Sequence, residues 1–114
     1  MKKYIELQEK TRNATHLLIE LRYNLGGFNY FTHKQEPRGY YLSVSPVELE
    51  QRDGYTLESY TAFTGTKYLV KEVMRKSEKS EKEAEEKAAE LEKSLIAFVC
   101  NQNNIPIPGG ITTA

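Results

Sequence analysis

The chain has no tryptophan, only four prolines, and a single cysteine, Cys100, in 114 residues. One cysteine excludes a disulfide framework and fits a reducing compartment, so a cytoplasmic protein is expected. Two histidines, His16 and His33, with one cysteine cannot complete a four-ligand zinc site without carboxylates. No metal and no cofactor is expected. No apolar run approaches the ~20 residues that span a bilayer, so no membrane partner is expected. The start, Met1-Lys2-Lys3-Tyr4-Ile5-Glu6, has no long apolar stretch of the signal-peptide kind.

Excess charge is missing too. Sixteen basic residues balance sixteen acidic ones, and no segment departs far from neutrality. Residues 1–75 hold eleven basic and nine acidic residues; residues 76–114 hold five and seven. Most nucleic-acid-binding domains are more basic than this, which argues against tight nonspecific DNA binding but not against a small local patch. Enzyme signatures are absent: no HExxH, GxSxG, P-loop or GxGxxG occurs. A non-enzymatic protein is expected. His16 and His33 read as residues on sheet faces, and Cys100 as a small core residue in an apolar helical turn.

What is present begins with Thr66–Gln102, which contains no proline or glycine and is rich in Glu, Lys, Ala and Leu. Val70, Met74, Ser77, Glu81, Ala84, Ala88, Leu91, Leu95, Phe98 and Gln102 fall on one face at alternating four- and three-residue steps. The spacing predicts one long helix over 66–102. A rival reading extends a strand through Tyr68–Val73 and starts the helix at the capping box Ser80-x-x-Glu83. The long helix is preferred because Leu69, Val70, Val73 and Met74 keep phase with Leu91, Leu95, Phe98 and Val99. Such a helix would be ~55 Å long at 1.5 Å per residue. That length outruns one small sheet, and the near-heptad stripe offers a seam to a second copy, so a homodimer is expected.

Before the helix the chain reads as short strands. Tyr4–Glu9 alternates loosely. His16–Leu25 alternates cleanly, with Leu17, Ile19, Leu21, Tyr23 and Leu25 on one side. Gly26-Gly27 predicts a hairpin turn, with Phe28–His33 as the return strand. Tyr40–Ser45 follows, placing Tyr40, Leu42 and Val44 on one face. Ser45-Pro46-Val47-Glu48 reads equally as a capped helical turn or as an edge strand through Pro46. Asp53-Gly54 marks a turn, and Ser59–Phe63 a last strand. Residues 103–114 form an extended tail pinned by Ile105 and Ile107 and loose from Gly109 onward. The reading is one α+β domain over 1–114: an antiparallel sheet of four to five strands over about 4–63, with one long C-terminal helix packed on one face.

Eight tyrosines and four phenylalanines crowd these strands. Alternation sends Phe31 and Tyr41 to the side opposite Tyr30 and Tyr40. Arg22, His33, Lys34 and Arg38 are near in sequence. Aromatics interleaved with bases on an open sheet face stack and neutralise single-stranded nucleic acid. Core filling and protein contact draw on the same residue types. Antiparallel strands followed by one long helix resemble the Whirly and Pur-alpha single-strand-binding families. That resemblance covers about residues 4–102 and rests on element order alone. It implies a sheet that carries single-stranded DNA or RNA and a helix that helps form a dimer. The candidate contact residues are Arg22, Phe31, His33, Lys34, Arg38 and Tyr41. A protein-interaction or adaptor module using the helix is the alternative.

Overall fold

The computed structural model describes residues 1–11 and 13–108. Its first strands, β1 (Lys2–Thr11) and β2 (Ala14–Asn24), pair antiparallel across a tight turn in which Asn13 takes a positive φ of 69°. A small separate hairpin follows, β3 (Gly27–Asn29) against β4 (Lys34–Glu36). The chain then enters β5 (Gly39–Arg52), the 14-residue strand at the centre of the main sheet. A two-residue turn, Asp53-Gly54, with φ of 50° and 82°, leads to β6 (Tyr55–Tyr60). Positive φ at both central residues suits a hairpin whose strands twist right-handedly. β7 (Thr66–Glu72) completes the sheet, and α1 (Glu78–Gln102) follows.

The five-stranded sheet is antiparallel throughout, with order β1-β2-β5-β6 and β7 beside β6 on the same edge of β5. β5 uses one edge for β2 and divides the other. Residues Gly39–Val44 pair with β7, and Val47–Arg52 with β6. Pro46 sits in the interval between those two pairings, opposite Leu17 of β2. A proline breaks a ladder only where its missing N–H is needed, and here the ladder already has its gap. Ser45–Glu48 is therefore strand, neither a helical turn nor an edge.

The helix is shorter than the sequence pattern indicates. Thr66–Glu72 is strand β7, so the 66–102 helix is corrected to Glu78–Gln102. Two causes decide this. A helix at Thr66–Glu72 would leave one edge of Gly39–Val44 without partners, and buried backbone groups require them. A bulge at Tyr40/Tyr41 also shifts the alternation of β7, so that Val70 faces the core from extended backbone. Val70 enters the core, while Lys71 reaches Glu83 of the helix at 2.5 Å. Ser77 caps α1: its hydroxyl accepts from the Ser80 amide, and Ser80 Oγ accepts from the Ser77 amide.

α1 crosses the face formed by Leu17, Ile19, Leu42 and Val44, burying Ala84, Ala88, Ile96, Val99 and Cys100 there. Fully buried alanines at positions 84 and 88 let the helix backbone approach the sheet closely. The expected stripe drifts, because 3.6 residues per turn do not match the four-and-three steps indefinitely. Glu81 is exposed and Phe98 is 55% exposed, whereas Ile96 and Val99 take the core. At its far end Asn103 holds the helix to the β6–β7 loop. Its amide NH2 donates to Thr64 O and Val99 O, each at 2.8 Å, and its Oδ1 accepts from Thr64 N at 3.0 Å. The tail is pinned by Ile105, which is buried, and by Ile107, which packs half-buried against the core, with Pro108 buried beside them. The expected loose end from Gly109 lies outside the described residues.

Two other strand readings change. Phe28–His33 is not a return strand on β2: only Gly27–Asn29 is extended, and it pairs with β4 in a sheet of its own. The predicted strand Ser59–Phe63 belongs partly to β6, which ends at Tyr60.

Candidate interaction surface

Strand register fixes what lies on the face away from α1. Across β2, β5 and β7 it presents Arg22–Tyr41–Leu69 and then Glu20–Ser43–Lys67. Further along come Leu18–Ser45 and His16–Val47–Tyr60. β1 adds Lys2 and Tyr4 beside Glu20 and Leu18. β1 and β6 are not neighbours in the sheet, yet the Tyr4 hydroxyl donates to Glu58, and Lys2 Nζ lies 3.5 Å from the same carboxylate. The sheet therefore curls until its edges meet across this face. That closure explains why Leu18 (2% exposed) and Val47 (0%) are buried with no helix above them. The hydrogen bond to Glu58 is the main reason the Tyr4 phenol is raised above its ordinary pKa.

The six candidate contact residues divide between two places. Arg22 and Tyr41 are cross-strand partners on the concave face. Tyr41 is only 6% exposed, and its hydroxyl donates to Pro37 O at 2.7 Å. Lys67 Nζ covers its ring at 5.3 Å from the centroid, and burial pushes the phenol pKa up. An open stacking platform at Tyr41 is thus corrected: the ring is already occupied. Arg38 is committed as well, donating from Nε to Leu25 O at 3.1 Å and from Nη1 to Met74 O at 3.4 Å. It braces the hairpin base against the segment before α1.

Phe31, His33 and Lys34 lie instead on the β3–β4 hairpin. Phe31 is 98% exposed and Tyr30 79%, and Leu25 and Phe28 are exposed nearby. The turn is braced from within. Asn29 Oδ1 accepts from the amides of Phe31 and Thr32 at 2.9 and 3.2 Å, while Asn29 Nδ2 donates to Glu36 at 3.0 Å. Phe28 meets Tyr30 edge-on at 5.0 Å between centroids, and His33, at a φ of 56°, at 6.5 Å. Gly26 is required at the base: at φ 75° a Cβ would stand 2.6 Å from Glu36 O. Gly26, Gly27, Phe28, Asn29, Tyr30 and Phe31 line a shallow hollow.

Cations around the hairpin base are matched by carboxylates. Lys67 Nζ donates to Glu36 at 2.9 Å, and Arg22 Nε lies 3.6 Å from Glu20. The Asn29 hydrogen bond, then Lys67, holds the Glu36 carboxyl below its usual pKa, so it is ionised at neutral pH. Among the described residues no three His, Cys, Asp or Glu side chains gather as a metal site would need. No described helix is long and apolar enough to cross a membrane.

The sequence reading missed Phe28 and Tyr30 as exposed residues. The overlooked signal was Asn29, a turn-forming residue in mid-run, directly after a Gly pair. Comparison of the chain with protein-family models, curated proteins and solved structures finds no match in any of the three.

Proposed function

We propose that the protein is a non-enzymatic binding module that engages another protein through the β3–β4 hairpin. The observation that carries this reading is the exposure of Tyr30 and Phe31 on a turn that Asn29 braces with two hydrogen bonds. Exposed aromatic side chains cost little entropy to immobilise and dominate the energetics of protein interfaces. The charge balance selects the class of partner. A polyanion approaching Lys34 and Arg22 would also meet Glu36 and Glu20, whereas a protein surface of mixed sign would not be repelled.

The test is affinity capture by the wild-type chain, compared with Phe31→Ala and Tyr30→Ala. A specific partner should be lost with both variants and retained with Phe98→Ala. A partner retained by both hairpin variants would overturn the reading.

A second reading, single-stranded nucleic acid, is favoured by His33 and Lys34 flanking Phe31. If it holds, Phe31→Ala should weaken oligonucleotide binding by ~1–3 kcal/mol, and affinity should fall with salt. Titration of labelled single-stranded DNA and RNA at low salt decides; no binding at high-micromolar protein removes it. A cytoplasmic location belongs to the same proposal and is supported by the free, buried Cys100. A homodimer is likewise a proposal, but not at a helix start near Leu69 and Val73, since that segment is strand and connector. The exposed hairpin aromatics are its support, and light scattering across a concentration series tests it.

A further inference from the structure

The concave face of the sheet holds a trough that the hairpin reading leaves unused. Ser43 and Ser45 occupy successive positions of the central strand β5 on this face. Their short side chains lower the floor between longer walls. Glu20 and Arg22 of β2 form one wall, and Lys67 of β7 and Tyr60 of β6 the other. The second wall comes from two strands because β6 and β7 divide the edge of β5. The chain re-enters the sheet at Gly65, where an added Cβ would stand 2.6 Å from Ser45 Oγ. Beyond the floor lie the Tyr41 ring, under Lys67 Nζ, at one end and the Tyr4–Glu58 bridge at the other. The concavity is open and shallow, like the hollow at the hairpin, and measures about 380 Å³, room for a molecule of a few heavy atoms with one side left in water.

Its chemistry is polar and of both signs. Arg22 Nε stands 3.6 Å from Glu20 Oε1, too far for a good hydrogen bond. Exposed pairs of this kind hold weakly in water. A ligand carrying its own cation and anion can enter between them and leave neither side chain without a partner. A simple anion would leave Glu20 unmatched, and a hydrocarbon would strip water from the serine hydroxyls without replacing it. Tyr60, largely exposed, offers a ring to the body of the ligand. We infer that this trough binds a small zwitterion of the α-amino-acid kind, with its ammonium on Glu20 and its carboxylate on Arg22. Ser45 and Ser43 lie beneath it as a polar floor, Ser43 Oγ donating to Glu20 O at 3.3 Å and so open to the ligand only as an acceptor, independently of what the hairpin contacts.

The experiment is a titration of the isotopically labelled full chain, followed by amide chemical shifts. L-glutamine and L-serine are the probes, with ethanolamine and acetate as single-charge comparisons. Saturable shifts at residues 18–22, 43–45, 60 and 65–67 are expected with an amino acid. Ethanolamine and acetate should bind at least about tenfold more weakly, and Glu20→Gln or Arg22→Gln should each weaken amino-acid binding about tenfold. Ser45→Val, which raises the floor, should abolish it, while Phe31→Ala should leave it unchanged. Melts of each variant establish that it is folded. Three results would overturn the inference: no shifts with either amino acid, acetate binding as well as both, or wild-type affinity in folded Glu20→Gln and Arg22→Gln.

Discussion

Gly39 and Asn103 show how single side chains, or their absence, set the outline of this molecule. Gly39 opens β5 where the chain passes Lys71 so closely that a Cβ would lie 2.2 Å from its carbonyl oxygen. The obstacle is backbone on a paired strand and cannot swing aside. Gly39→Ala should cost at least the ~1–3 kcal/mol of an overpacked core, read from a urea melt. Asn103 acts through hydrogen bonds. It joins Thr64 to the last turn of α1 by three contacts at 2.8 to 3.0 Å. Asn103→Ala should lower stability by ~1–2 kcal/mol and raise amide exchange at Thr64. Phe31→Ala belongs to the same scale with the opposite outcome: a side chain 98% exposed has no packing to lose, so the melt should not move.

Among the elements, α1 is held by its cap and by one face. The core face runs through Ala84, Ala88, Ile96 and Val99, and Phe98 points away from it. Ile96→Ala should therefore destabilise by ~2–5 kcal/mol, and Phe98→Ala by a small fraction of that. Comparable losses for the two would contradict this helix orientation. Leu91 and Leu95, assigned by their spacing to the centre of the buried stripe, are only partly buried, and their truncation should cost less than that of Ile96. The β3–β4 hairpin behaves otherwise. Among the described residues β3 and β4 pair only with each other, so the hairpin's stability rests on Asn29, Arg38 and Glu36 rather than on the main core.

For the molecule as a whole, acid stability follows from two carboxylates. Glu83 is lowered from its ordinary pKa by the Lys71 hydrogen bond, and Glu36 by Asn29 and Lys67. A carboxyl depressed in the folded state binds protons more tightly when unfolded. Its contribution is complete above the unfolded value, near 4.5, and is lost as pH falls through the lower folded value. Both carboxylates are partly open to solvent, so the effect should be small and weakened by salt. Denaturant midpoints should decline below about pH 4.5, and Lys71→Met should flatten that decline. A midpoint unchanged by acid in the wild type would contradict the assignment.

The class of fold was legible in the amino-acid sequence, because local chemistry carries it. Alternation in His16–Leu25 and Tyr40–Ser45 demands a half-buried sheet, and the Ala- and Leu-bearing run before Gln102 demands a helix. The sequence also showed that Asp53-Gly54 is a turn, whereas Gly26-Gly27 leads into β3 and the hairpin turns at residues 30–33. Where the helix begins was settled by long-range pairing, because Thr66–Glu72 fits either backbone and the open edge of β5 chooses the strand. The location of the aromatic surface was likewise undecidable locally. Phe31 and Tyr41 share a parity in sequence, but parity has meaning only within one sheet, and Phe31 lies in the turn between β3 and β4. Pro46 repeats the lesson: whether a proline breaks a strand depends on whether its neighbour needs an N–H there. At this position the division of the β5 edge between β6 and β7 removes the need.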